Sequence, residues 1–167
     1  MLDIMILYTI YEYEFSMYLI LKRIYDVFGD FSKPSFGALK PALVKMEKSN
    51  YVNSRKTFSD GGKLTVHYSI TSEGKKFLKQ KLFDNLSDNP VQFKSNCAIK
   101  IIASEIFSKD VQKNILEGLS RQIELKKIEA ENKLNINTKL SGFQKIMISN
   151  LIVEYTNYLK ITENLGA

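Results

Sequence analysis

The feature that most constrains the fold is the segment KLTVHYSI, in which apolar and polar residues alternate near the middle of the chain. Leu64, Val66, Tyr68 and Ile70 occupy every second position, which predicts a β-strand with one core face and one wet face. A weaker strand pattern, YVNSRKTF, precedes it, and the turn-forming residues Asp-Gly-Gly at 60–62 separate the two. The pattern therefore predicts a β-hairpin.

Apolar residues at three- and four-residue steps predict helices on both sides of this hairpin. Before it, we expect helices over residues 2–13, from Ser16 to Gly29, and from about Ser35 to Ser49. Pro41 lies within the third, where it lacks an N–H and crowds the preceding turn, so a later start or a kink is expected. After the hairpin, Thr71 is expected to cap a fourth helix.

Three further helices are predicted after the loop LSDNP, over residues 92–107, 109–136 and 142–164. The loop is the best candidate boundary, which gives domains at 1–84 and 85–167. The predicted fold class is mainly α with a small β-hairpin. The order helix, helix, turn, helix, hairpin is that of an N-terminal winged helix-turn-helix domain, followed by a C-terminal helical dimerisation domain.

Positive charge is concentrated in one part of the sequence. The net charge is +6, yet residues 33–81 alone hold eleven basic and three acidic residues, a net of +8. Cationic side chains on the third helix, the hairpin and the following helix are placed to contact DNA phosphates. We therefore predict binding to double-stranded DNA. A solvated lysine-rich surface is the plainer alternative.

Two motifs resemble the PadR-type transcriptional regulators. Gly37, Leu39, Pro41, Ala42 and Leu43 match the family's G-T-L-Y-P-A-L segment, and a second set, Tyr68, Ile70, Thr71 and Gly74, matches the motif after its wing. Upstream, FSMYLI is similar to a conserved family segment, with Tyr18 in the tyrosine place. The sequence departs from the pattern at Met17, Ala38 and Lys40, and at 65–67, where arginines are common.

The resemblance implies a cytoplasmic bacterial regulator, most often a repressor, that binds a pseudo-palindromic operator as a homodimer. It also implies a small-molecule effector, often aromatic, near the dimer interface. The helix and wing positions that we expect to contact DNA are Lys33, Ser35, Ala38, Lys40, Lys45 and Lys63. Because lysines outnumber arginines by 21 to 3, most of these contacts are expected to be phosphate pairs rather than readers of guanine.

Apolar residues cover so much of the circumference of the last predicted helix that a single neighbouring helix cannot bury them all, and the long helix before it has a coiled-coil-like apolar surface. This favours a dimer formed by the helical tail, although the same residues could form the tail's own core. The residues predicted for dimerisation are Ile115, Leu119, Ile123, Phe143, Met147, Leu151, Tyr155 and Tyr158.

Other classes of function find little support in the composition. One cysteine, Cys97, and one histidine, His67, argue against a zinc site or an internal disulfide. No cofactor, no membrane segment and no enzyme site is predicted, since paired carboxylates and a phosphate-binding loop are lacking. Cys97 is expected in the core, with a redox role as the alternative. A winged helix that binds protein instead of DNA remains a rival interpretation.

Overall fold

The computed structural model describes residues 1–58, 62 and 64–167. Seven helices and three strands follow one another in these residues: α1 Leu2–Thr9, β1 Phe15–Ser16, α2 Met17–Phe28, α3 Phe36–Lys48, β2 Val52–Phe58, β3 Leu64–Ile70, α4 Ser72–Phe83, α5 Pro90–Ser104, α6 Lys109–Ile136 and α7 Gly142–Gly166. The predicted fold class, mainly α with a small hairpin, is confirmed. None of the helices in the described residues has the length and apolar character needed to cross a bilayer.

The β-hairpin is part of a three-stranded antiparallel sheet with the order β1-β3-β2. Its register pairs Val52 with Ile70 at one end and Phe58 with Leu64 at the other. The short strand β1, which the sequence pattern did not predict, pairs Phe15 with Tyr68. Because β3 is the central strand, both of its faces are half-buried from Thr65 onward, and the expectation of one fully wet face was wrong.

Helix α1 is the centre of the first core. It packs against α2, α3, α4 and α5, and Ile4, Met5, Ile6, Leu7 and Ile10 are all buried. A helix surrounded by four others needs apolar residues on every side, so its sequence lacks a clear polar face. The predicted extension to residue 13 was wrong, because α1 ends at Thr9 and Tyr13 is 68% exposed.

The chain divides into two compact units, Met1–Ile106 and Phe107–Ala167. Helix α5 begins at Pro90, capped by the Asn89 side chain, and it packs on α1 and α4 in the first unit. The division into compact units follows α5, in which Phe93, Cys97 and Ile99 are buried. The domain boundary at the loop near residue 85 stays a prediction. The second unit is a hairpin of the two long helices α6 and α7.

Candidate nucleic-acid interface

Helix α3 is the element that carries most of the predicted DNA contacts, and its start is fixed by two hydrogen bonds. The Ser35 hydroxyl oxygen accepts from the Ala38 backbone N–H at 3.3 Å, and the Tyr25 hydroxyl donates to the Pro34 carbonyl at 2.7 Å. The Ser35 side chain therefore caps the helix. Ser35, Ala38 and the preceding Lys33 are exposed.

Two opposite faces of α3 have different characters. One face is buried and comprises Leu39, Leu43 and Met46, each of which contributes about 1.5 to 3 kcal/mol by burial. The opposite face is exposed and comprises Gly37, Pro41, Val44 and Lys48, spaced by four, three and four residues. We call these four residues the outer stripe of α3. Phe36, the first residue of α3, is 48% exposed.

Pro41 does not interrupt α3, which runs unbroken from Phe36 to Lys48. The expectation of a later start was wrong. Gly37 and Pro41 are both exposed, so the Gly37 carbonyl that loses its helical hydrogen bond lies on the solvent side of the helix. A missing bond that water can replace is much less costly than one in the core.

Lys48 belongs to the outer stripe, Lys40 and Lys45 flank it, and Lys33 precedes α3. All four lysines are exposed, and none of them forms an ion pair with an acid among the described residues. The one acid of α3, Glu47, accepts a hydrogen bond from the Ser54 hydroxyl of β2. Unneutralised ammonium groups on one helix produce a positive potential over its exposed surface. Two of the four lysines of α4 differ, since Lys76 binds Glu73 at 2.8 Å and Lys81 binds Asp84 at 2.7 Å.

The hairpin contributes fewer free cations than its sequence indicates. Arg55 pairs with Glu14 through two guanidinium nitrogens, and this hydrogen bonding lowers the pKa of the Glu14 carboxyl below its usual value. Lys56 is exposed and has no acidic partner among the described residues. Lys63, predicted at the tip of the wing, lies outside the described residues, as do most of the turn positions.

The motif Thr71-x-x-Gly74 attaches the hairpin to α3 and α4. The Thr71 hydroxyl accepts from the Gly74 backbone N–H at 2.9 Å and donates to the Asn50 carbonyl at 2.6 Å. A Cβ at position 74 would lie 2.1 Å from the Tyr51 carbonyl oxygen, so only glycine permits this close approach. Asn50 takes a left-handed conformation with φ of 58°, which ends α3 and turns the chain into β2.

The structure adds surface residues that sequence reasoning missed. Val44, Lys48 and Lys56 are exposed, with Val44 41% accessible, and none of them was predicted as a contact. The sequence spacing indicated in part that Val44 is exposed, because Val44 lies three residues after Pro41 and five after the buried Leu39. Only the position of the core shows that the Pro41 and Val44 side of α3 faces solvent.

The residues predicted for dimerisation divide into three groups. Ile115, Leu119, Ile123 and Tyr155 are buried in the protomer, and Leu151 and Tyr158 are half-buried. Phe143 and Met147 are 84% and 66% exposed. Other apolar residues on α7 are also exposed, namely Ile146, Val153, Ile161 and Leu165. These four residues, like Phe143 and Met147, are accessible on the surface of the helical hairpin.

The family assignment follows from the sequence of the first unit. The model of the transcriptional regulator PadR-like family matches residues 6–80, the segment that contains α3, the hairpin and the Thr71-x-x-Gly74 motif. The chain belongs to the PadR-like family. Members of the PadR-like family are transcriptional regulators and not enzymes.

Solved structures with the same fold include PadR of Bacillus subtilis in complex with operator DNA, which is 18% identical and matches 99% of this chain and 98% of its own with a TM-score of 0.50. The protein smu.1604c of Streptococcus mutans is 24% identical over 97% of this chain and 96% of its own, with a TM-score of 0.48. A PadR family regulator of Clostridium difficile is 30% identical over 48% of this chain and 81% of its own, with a TM-score of 0.42. No curated protein matches the sequence significantly.

Proposed function

We propose that this PadR-like regulator binds a pseudo-palindromic operator in double-stranded DNA as a homodimer and represses transcription. Helix α3 of each protomer would enter the major groove, and each wing would contact the adjacent backbone or minor groove. A small-molecule effector that relieves repression completes the proposal, and it rests on the family resemblance alone.

The observation that carries this proposal is the set of exposed lysines on and beside the outer stripe of α3. Lys33, Lys40, Lys45 and Lys48 have no acidic partner in the described chain. Lysines without internal partners can neutralise phosphates and release the counterions that DNA holds, which is the main source of affinity for nucleic acid. The fold shared with PadR of Bacillus subtilis, whose structure contains operator DNA, supports the same use of the first unit.

The helical tail supports the dimeric part of the proposal. Phe143, Ile146 and Met147 are each at least 66% exposed near the start of α7, and three exposed apolar side chains within five residues are unusual for a surface that faces only water. We propose that these residues, together with half-buried Leu151 and Tyr158, form the contact between protomers. The winged-helix units of the two protomers, related by twofold symmetry, would then bind half-sites about one helical turn of DNA apart.

Fluorescence anisotropy with the DNA upstream of the protein's own gene tests this function. We expect binding that prefers this fragment over a scrambled one and weakens steeply as salt rises. The double variant Lys40→Ala/Lys63→Ala should lose about one unit of the salt slope for each lysine that contacts a phosphate. Salt-insensitive binding, or none to any promoter fragment, would favour the protein-binding alternative.

A further inference from the structure

The outer stripe of α3 is apolar at its centre, although the exposed side of this helix also carries several lysines. Pro41 and Val44 are exposed and lie between Gly37 at one end and Lys48 at the other. Val44 alone leaves 41% of its surface accessible. An apolar centre with a cationic border is complementary to a partner that combines apolar groups with surrounding negative charge.

The chemistry of α3 also limits which base edges it can read. Of the side chains that form paired hydrogen bonds with guanine or adenine in the major groove, α3 has only lysine and contains no arginine, asparagine or glutamine. Its outer stripe offers only aliphatic carbon between the lysines. The major-groove edge of DNA presents one apolar group, the 5-methyl of thymine.

We propose that Val44, with Pro41 beside it, contacts thymine 5-methyl groups in the major groove, so that α3 selects A·T base pairs at the centre of each half-site. This inference rests on the proposed function, since it requires α3 to enter the groove. Lys40, Lys45 and Lys48 would hold the helix against the phosphates on either side. The occupant of the stripe is therefore DNA and not an apolar protein surface, which would leave these ammonium groups without counter-charges.

Replacement of thymine by deoxyuridine tests the proposal. Uracil keeps every hydrogen-bonding group of thymine and lacks only the methyl, and its minor-groove edge is the same. The promoter fragment is first footprinted with the wild-type protein, and each thymine in the protected half-sites is then replaced singly. At one or two positions per half-site, we expect binding to weaken about fourfold for each methyl that loses its contact.

The variant Val44→Ala assigns the effect to the side chain. Alanine keeps the helix and removes the two methyl groups of valine, so the variant should bind the thymine and deoxyuridine fragments with equal affinity. Val153→Ala, at a valine on α7 that is 55% exposed, is the matched control and should retain the fourfold preference. Circular dichroism of both variants checks that α3 is intact.

The outcomes separate this inference from the proposed function. Salt-sensitive binding with equal affinity for both fragments would overturn the inference and leave DNA binding intact. A methyl preference that persists in Val44→Ala would overturn the assignment to Val44. Absence of binding to all promoter fragments would overturn the proposed function and this inference together.

Discussion

The lysines of α3 and those of α6 have the same chemistry and different surroundings. In α3, Lys40, Lys45 and Lys48 lie on one exposed surface without acidic partners in the described chain. In α6, Lys126 binds Glu129 at 3.0 Å, and Lys127 binds Glu124 at 3.3 Å and Glu131 at 3.7 Å. Pairs at three- and four-residue steps neutralise one another along the helix surface. We therefore expect the lysines of α3, which have no acidic partners, to contribute more to DNA binding than the paired lysines of α6.

The largest expected effect on DNA binding comes from removing the lysines of α3, and removing lysines from α6 serves as the comparison. The triple variant Lys40→Ala/Lys45→Ala/Lys48→Ala should weaken DNA binding by at least about 100-fold at moderate salt, because several phosphates lose their contacts. Lys113→Ala/Lys126→Ala/Lys127→Ala removes the same net charge from α6, including both paired lysines, and should change affinity little. Anisotropy titrations across a salt series measure both. Equal losses in the two variants would show that total charge, and not the surface of α3, controls binding.

The second prediction concerns the apolar surface of the tail. Phe143→Asp places a carboxylate where an 84% exposed ring is proposed to contact the partner protomer, so dimerisation should weaken by about 100-fold or more. Sedimentation velocity over a dilution series measures the change. Val91→Asp, at an 83% exposed position on α5, is the control and should remain dimeric. A wild-type protein that sediments as a monomer would contradict the proposed assembly.

A third prediction uses a buried cation of the first unit. Lys100 is fully buried, and its ammonium donates to the carbonyl oxygens of Leu82, at 3.4 Å, and Asp84. Burial lowers the pKa of Lys100 to about 8 from its ordinary 10.5. Between these values the unfolded chain binds the proton that the folded protein has released, so the free energy of unfolding rises with pH.

Lys100→Met removes this titration and keeps most of the side-chain volume. From pH 8 to 9.5, the wild type should gain about 1 to 2 kcal/mol of unfolding free energy relative to the variant. Urea denaturation at a series of pH values measures the unfolding free energy of both proteins. Subtracting the Lys100→Met values from those of the wild type removes most of the contribution of other titrating groups. One of these is Cys97, whose pKa burial raises to about 12. Parallel curves for the two proteins would show that Lys100 is not the titrating group.

The smallest effect is expected for a polar contact in the tail. The hydroxyls of Ser120 on α6 and Thr162 on α7 form a hydrogen bond of 2.6 Å, and Thr162 is buried. A cycle of Ser120→Ala, Thr162→Val and the double variant should give a coupling of about 1 kcal/mol in the free energy of unfolding. Additive losses would indicate that the two hydroxyls contribute independently.

Local signals in the sequence predicted several elements closely. Thr71 caps α4 as expected, and Ser16 and Ser35 cap α2 and α3 at the predicted helix starts, because a cap needs only its own hydroxyl and the N–H group three residues later. The β-hairpin was predicted from alternation and a turn. Strand β1 and the membership of α5 in the first unit were not predictable, since both depend on residues more than fifty positions apart.

In the candidate sites too, the sequence predicted local features, whereas contacts between distant residues appeared only in the structure. The sequence indicated that α3 carries lysines and that α7 is apolar. It could not show that Arg55 is paired with Glu14, forty-one residues away, or that Tyr155 is buried while Phe143 is exposed.

The sequence by itself determined the helices, the hairpin, the family and the segment that holds the excess positive charge, because each depends on residues close together in the chain. Only the tertiary structure decided which face of α3 points outward, which cations keep their charge unpaired, and which apolar residues of α7 are available to a partner. These properties depend on packing between elements that are distant in sequence, and spacing along one element does not fix the direction of its neighbours.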